Sequence, residues 1–143
     1  MKIPQLSVFI ENKTGRLHAV IDALAKNGIN ISALSLADTS EYGILRLIVD
    51  DPDKARDVLS KIGVIVKVSY VVAMGIEDKP GGLAEVLRLF SENGVGTEYM
   101  YACIGKATGK AFVVMRVDET DVAEKILDEN GFGVINPSEI YRI

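Results

Sequence analysis

The stretch ENKTGRL, Glu11 to Leu17, returns 66 positions later as EDKPGGL, Glu77 to Leu83. The same shift lays Lys13 on Lys79, Gly15 on Gly81, Val20 on Val86 and Asn27–Gly28 on Asn93–Gly94. Leu17, Val20, Ile21 and Leu24 fall at i, i+3, i+4 and i+7, as do Leu83, Val86, Leu87 and Phe90, so each turn opens an amphipathic helix. Any two strand–turn–helix segments share such a stripe. They do not share an opening glycine, a leucine and a closing Asn-Gly at identical distances. The chain reads as an internal duplication, with each of these helices stopping in a left-handed turn at Asn-Gly.

The rest of each copy agrees at a shift of 68: YGILRLIVDD, from Tyr42, answers GKAFVVMRVDE, from Gly109. Both are β-rich runs that end in Val-Asp and lead into a second helix. Its apolar positions are Ala55, Val58, Leu59 and Ile62 in one copy, and Val122, Ala123, Ile126 and Leu127 in the other. The extra residues fall near GKATGK, Gly105 to Lys110. First strands are expected at about Leu6 to Ile10 and Val71 to Ile76, and second strands at about Asn30 to Leu36 and Thr97 to Ile104. The fourth strand of the first copy, near Val64 to Ser69, runs straight into the first strand of the second. The predicted fold is α+β: two ferredoxin-like βαββαβ units in tandem, residues 1–69 and 70–143, each an antiparallel sheet with helices on one face.

The third strands add a constraint. Leu45, Leu47 and Val49, like Val113, Met115 and Val117, are expected under the helices. The opposite faces carry Ile44, Arg46 and Ile48, or Phe112, Val114 and Arg116, and are too apolar for a sheet with one wet face. A cover is expected there, most simply the sheet of a second chain, which makes the protein a homodimer.

Composition narrows the chemistry. A net charge of −4 gives no footprint for nucleic acid. No apolar run approaches the roughly 20 residues of a membrane span, and the first strand does not read as a signal peptide. One cysteine, Cys103, and one histidine, His18, supply neither a disulfide framework nor a Cys/His metal cage. No cofactor is expected, and a reducing cytoplasm is the simplest compartment. GKATGK is one residue short of a phosphate loop and has Ala111 where Ser or Thr belongs, so it reads as a hairpin loop. The acidic pairs Asp50–Asp51 and Asp118–Glu119 precede helices and read as caps. His18 reads as a solvent-edge side chain and Cys103 as a packed thiol.

The turns themselves carry chemistry. A glycine between strand and helix exposes amides that have no partner in the helix, at the positive end of its dipole, which suits a carboxylate. Asn12 donates and accepts, and ionised Asp78 accepts, so an ammonium can sit beside that carboxylate. An amino acid carries both charges on one carbon. Gly15 and Gly81 also serve the turn itself, with Thr14 and Pro80 as helix starters.

ENKTGRL and EDKPGGL, the helix ends KNGINI and ENGVGT, and the βαββαβ order together resemble ACT domains, as a tandem pair over nearly the whole chain. The resemblance implies an amino acid bound where two copies lie side by side, by the loop after strand one and the start of strand two. It selects Asn12, Thr14, Gly15, Arg16, Leu17, Asn30 and Ile31 in the first unit. In the second it selects Asp78, Pro80, Gly81, Gly82, Leu83, Gly96 and Thr97. Arg16 against Gly82, Asn12 against Asp78 and Asn30 against Gly96 make two identical sites unexpected. The expected function is a non-catalytic, amino-acid-binding regulator of a partner metabolic enzyme. The rivals are a ligand-independent scaffold or regulatory subunit and a small Asp/Glu/Lys enzyme.

Overall fold

Two βαββαβ series run along the chain, as the duplication predicts. The computed structural model describes residues 2–38, 41–103 and 110–141. The first series is β1 (Ile3–Glu11), α1 (Arg16–Lys26), β2 (Ile31–Asp38), β3 (Tyr42–Val49), α2 (Pro52–Lys61) and the start of β4 (Ile65–Glu77). The second uses the rest of β4, then α3 (Gly82–Glu92), β5 (Thr97–Ala102), β6 (Lys110–Val117), α4 (Thr120–Glu129) and β7 (Gly133–Ile135), and a short α5 (Pro137–Ile140) follows. Contacts divide the chain into an N-terminal unit, Pro4–Ser69, and a C-terminal unit that begins at Tyr70 and includes Ile3. The expected strand end at Ile104 and residues 105–109 of the expected hairpin loop GKATGK lie outside the described residues, and Lys110 opens β6.

Each sheet is antiparallel, with the order second, third, first, fourth strand: β2-β3-β1-β4 in the N-terminal unit and β5-β6-β4-β7 in the C-terminal unit. Register stacks the apolar residues. Leu6 pairs with Leu47 and Val8 with Leu45, while Leu34 and Leu36 pair with Leu47 and Leu45 from the other side. In the second unit Val72 pairs with Met115 and Met74 with Val113. Because side chains alternate along a strand, these pairs put one apolar row of β1, β3, β4 and β6 beneath the helices, while Leu34 and Leu36 of β2 stay exposed.

The helical stripes close the cores. Val20 and Leu24 of α1, with Ala55 and Leu59 of α2, pack on Leu6, Val8, Leu45, Leu47 and Val49. Val86 and Phe90 of α3, with Ala123, Ile126 and Leu127 of α4, pack on Val72, Met74, Val113, Met115 and Val117. The first leucine of each stripe lies apart from the buried centre: Leu83 is only partly covered and Leu17 is 39% exposed.

The opposite sheet faces are less bare than alternation implies. Ile48 and Val114 are fully buried within the single chain, and Ile44 and Phe112 are half-buried. Arg116 lays its stem along this face and sends its head to the edge, donating to the Tyr70 carbonyl at 2.7 Å and pairing with Glu98 at 3.5 Å. Burial of these third-strand residues therefore does not by itself call for a second chain.

The acidic pairs divide their work. Asp51 caps α2, its carboxylate accepting from the Lys54 amide at 3.2 Å, with Pro52 at the first helical position. Glu119 holds the same place before α4 without a side-chain cap. Asp50 and Asp118 do something else: they anchor the second strands. The Asp50 carboxylate accepts from the Asn30 amide at 3.0 Å while its own amide donates to the Asn30 carbonyl at 3.2 Å. Asp118 holds Gly96 the same way, at 2.9 and 3.1 Å. Among the described residues no helix is long and apolar enough to cross a membrane.

Candidate functional site

The two glycine turns share a hydrogen-bond pattern. In the first, the Lys13 amide donates to the Glu11 carbonyl at 2.8 Å and the Arg16 amide to the Lys13 carbonyl at 3.2 Å. In the second, Lys79 donates to Glu77 at 2.9 Å and Gly82 to Lys79 at 3.1 Å. Gly15 and Gly81 then sit at φ 88° and 90° and accept the first helical bonds, from Ala19 and Glu85. Any side chain is strained in that left-handed region, although an added Cβ would meet nothing within 4 Å at either position. Backbone conformation therefore dictates these two glycines. Thr14 and Pro80 stand one residue before the caps, and neither helix start has a side-chain cap. The first-turn amides face outward as a weak positive pole.

Each turn sets an acid beside a base. Glu11 and Lys13 approach to 3.2 Å, and Glu77 and Lys79 to 2.6 Å. The hydrogen bond from Lys79 holds the Glu77 carboxyl below its usual range, and the same bond raises Lys79. A depressed carboxyl keeps its pair at neutral pH and loses it only as pH falls through the lowered value. Carboxyl-detected NMR should place the Glu77 titration below that of an ordinary glutamate, and Lys79→Ala should return it upward. An unchanged midpoint in the variant would show that the pair does not form.

A cavity opens beside each turn, on different sides. In the N-terminal unit, a volume of about 480 Å³ lies between the turn (Glu11 to Gly15, and Leu17) and the β2–β3 hairpin (Leu36, Ala37 and Gly43). In the C-terminal unit, about 500 Å³ lies between Glu77, Lys79 to Gly82 and Glu85 on one side and Lys110 and Asn130 to Gly133 on the other. Both sizes suit a small molecule.

Of the residues expected at a site, Asn12, Thr14, Gly15 and Leu17 meet at the first cavity. Arg16 pairs with Glu11 at 3.9 Å and lines a neighbouring groove with Glu11, Tyr42 and Ile62. Pro80, Gly81 and Gly82 meet at the second cavity, whereas Asp78 and Leu83 belong to the turn without lining it. Asn30, Ile31, Gly96 and Thr97 follow the far ends of α1 and α3. Those helices have 11 residues each, about 16 Å in length, so within one unit these four stand apart from the turn.

The sequence reading passed over Glu11, Lys13, Glu77 and Lys79, although a Glu-x-Lys repeated at one spacing was a visible signal. It also passed over Leu36, Gly43, Lys110 and Asn130, which only tertiary pairing delivers. His18 is exposed. Cys103 is half-buried, and burial pushes its thiol up to about 11, which leaves little thiolate at neutral pH.

Paired βαββαβ units, each with a glycine-capped turn after its first strand, define a pair of ACT domains. The chain belongs to that family: the family model described as an ACT domain pair matches residues 1–143. The crystal structure of protein BT0572 from Bacteroides thetaiotaomicron is 40% identical, with a TM-score of 0.94, over 100% of this chain and 98% of that one. The regulatory subunit of aspartate kinase from Thermus thermophilus, in its ligand-free form, is 16% identical with a TM-score of 0.65, over 88% of this chain and 91% of that one. A structure of aspartokinase alpha and beta subunits also aligns, at 16% identity and a TM-score of 0.60, over 88% and 90%. At 16% the likeness to these two is one of fold. Comparison with curated proteins gives no match.

Proposed function

We propose that this protein is a non-catalytic, cytoplasmic regulator that binds a free amino acid at its glycine turns and modulates a partner metabolic enzyme, acting as a homodimer. One observation carries the reading: each turn sets a carboxylate and an ammonium side by side over an uncapped helix start. Glu11 with Lys13 at 3.2 Å, and Glu77 with Lys79 at 2.6 Å, are charge patterns complementary to a zwitterion. The pairs are exposed, so a ligand that brings both charges displaces little stabilisation when it takes their place. Support also comes from fold, since an aspartate kinase regulatory subunit shares it. Regulation requires that the ligand favour one state of the protein over another.

Isothermal titration calorimetry and thermal shift of the full chain against the twenty common amino acids test this. At least one is expected to bind and raise the melting temperature, and Gly15→Val with Gly81→Val to abolish the heat. If none of the twenty gives heat or a shift, the sensor reading fails and a ligand-independent scaffold replaces it.

A further inference from the structure

The two cavities have different walls, and the difference bears on what each admits. Around the N-terminal cavity the polar groups gather at one end, in the turn. The hairpin wall is aliphatic, Leu36 and Ala37 with Gly43 on the paired strand, and Ile10 and Leu17 add apolar surface on the turn's own side. Leu17 is 39% exposed and Leu36 52%, so two large aliphatic side chains leave open surface at the cavity that the charged pair also lines. Among the described residues lining this cavity Lys13 is the one cation; it lies beside Glu11 at 3.2 Å, and Arg16 reaches the same carboxylate at 3.9 Å. Gly43 contributes room, since a Cβ there would stand 3.2 Å from Leu36 Cδ1.

At the positions of Leu36 and Gly43 the C-terminal unit carries different residues. By the same repeat, Leu36 corresponds to Ala102 and Gly43 to Ala111. The cavity of that unit is the counterpart of the N-terminal groove beside Arg16, Tyr42 and Ile62, with Lys110 and Asn130 in its wall.

We infer that the N-terminal turn takes an amino acid with an apolar side chain, of the aliphatic or aromatic class. This rests on the amino-acid reading proposed above. The ligand's ammonium and carboxylate lie at Glu11, Lys13 and the turn, and its side chain lies on Leu17 and Leu36, covering surface that water otherwise meets. A buried methylene in such a pocket is worth about tenfold or more in discrimination, and a polar side chain finds no partner on that wall.

The test is calorimetry on the full chain with leucine, isoleucine, valine, methionine and phenylalanine against serine, aspartate and lysine. At least one of the first five is expected to bind about tenfold or more tightly than any of the other three. Leu36→Ser and Gly43→Ala should each weaken that ligand by about tenfold, with melting temperatures near the parent's because Leu36 is exposed and free to move. A polar or charged amino acid as the tightest ligand overturns the inference while leaving the sensor reading intact. So does an apolar ligand whose affinity neither substitution changes. Silence from all eight, and from the rest of the twenty, brings down the sensor reading and this inference with it.

Discussion

Phe90→Ala is expected to destabilise the protein by about 3–5 kcal/mol, the range for emptying an aromatic site in a packed core. Phe90 is 1% exposed and belongs to the cluster formed by β4, β6, α3 and α4. Its counterpart in the repeat, Leu24, is fully buried in the other cluster, and Leu24→Ala should lose about 2–5 kcal/mol. Urea denaturation checks both, with the slope of the transition showing whether the unfolded reference has shifted. Leu87, one position off the centre of the same helical stripe and only partly buried, should lose less when cut to alanine. If Phe90→Ala costs no more than Leu87→Ala, the stripe read from the sequence does not face the core.

That stripe was legible because a helix buries one face and the sequence states the period twice. The stops were legible for a similar local reason: Gly28 and Gly94 follow Asn27 and Asn93 at φ 69° and 72°. What sequence could not show is whatever depends on pairing across distance. Asp50 and Asp118 adjoin helices and look like caps, yet their carboxylates hold the starts of strands, at Asn30 and Gly96, 20 and 22 residues earlier in the chain. The same limit applies on the sheet. Phe9 pairs with Ile44 in one unit, while in the other Gly75 pairs with Phe112, whose ring would stand 3.3 Å from a Cβ on Gly75. The aromatic ring has changed strands, and only register reveals that the two arrangements fill one place.

The candidate site divides along the same line. The turn is a local structure, written in seven residues, so its glycines and its helix start could be placed from sequence. The walls are not local. Leu36 and Gly43 come to the first turn through the β2–β3 hairpin, and Asn130 comes to the second through the end of α4. The C-terminal cavity has its counterpart in the N-terminal groove, where Arg16, Tyr42 and Ile62 stand at the positions of Gly82, Lys110 and Asn130, so the two units differ in what those positions carry. Asn30 and Gly96 lie a helix length from the turn within their own units, so the pattern brings them to a turn only where two copies lie side by side.

Gly82→Ala should separate the two turns energetically. A Cβ at Gly82 would run into the backbone carbonyl of Glu77, an atom held by the strand and by the Lys79 amide that donates to it at 2.9 Å. Overpacking of this kind costs about 1–3 kcal/mol when the neighbour can yield, and more when it is backbone. The first turn carries Arg16 at the same position and accommodates its Cβ, so Arg16→Ala should change stability by no more than about 0.5 kcal/mol. Gly81→Ala supplies the scale for strain alone, about 1–2 kcal/mol for a side chain in the left-handed region with open space around it. Urea denaturation of the three variants, with amide spectra of residues 77–82, is the measurement. A loss for Gly82→Ala smaller than for Gly81→Ala would mean that the Glu77 carbonyl swings aside, and the 2.9 Å bond from Lys79 should then be seen to break. A loss larger than both controls would make Gly82 the residue that holds Glu77, and with it the charged pair, in place at the second turn.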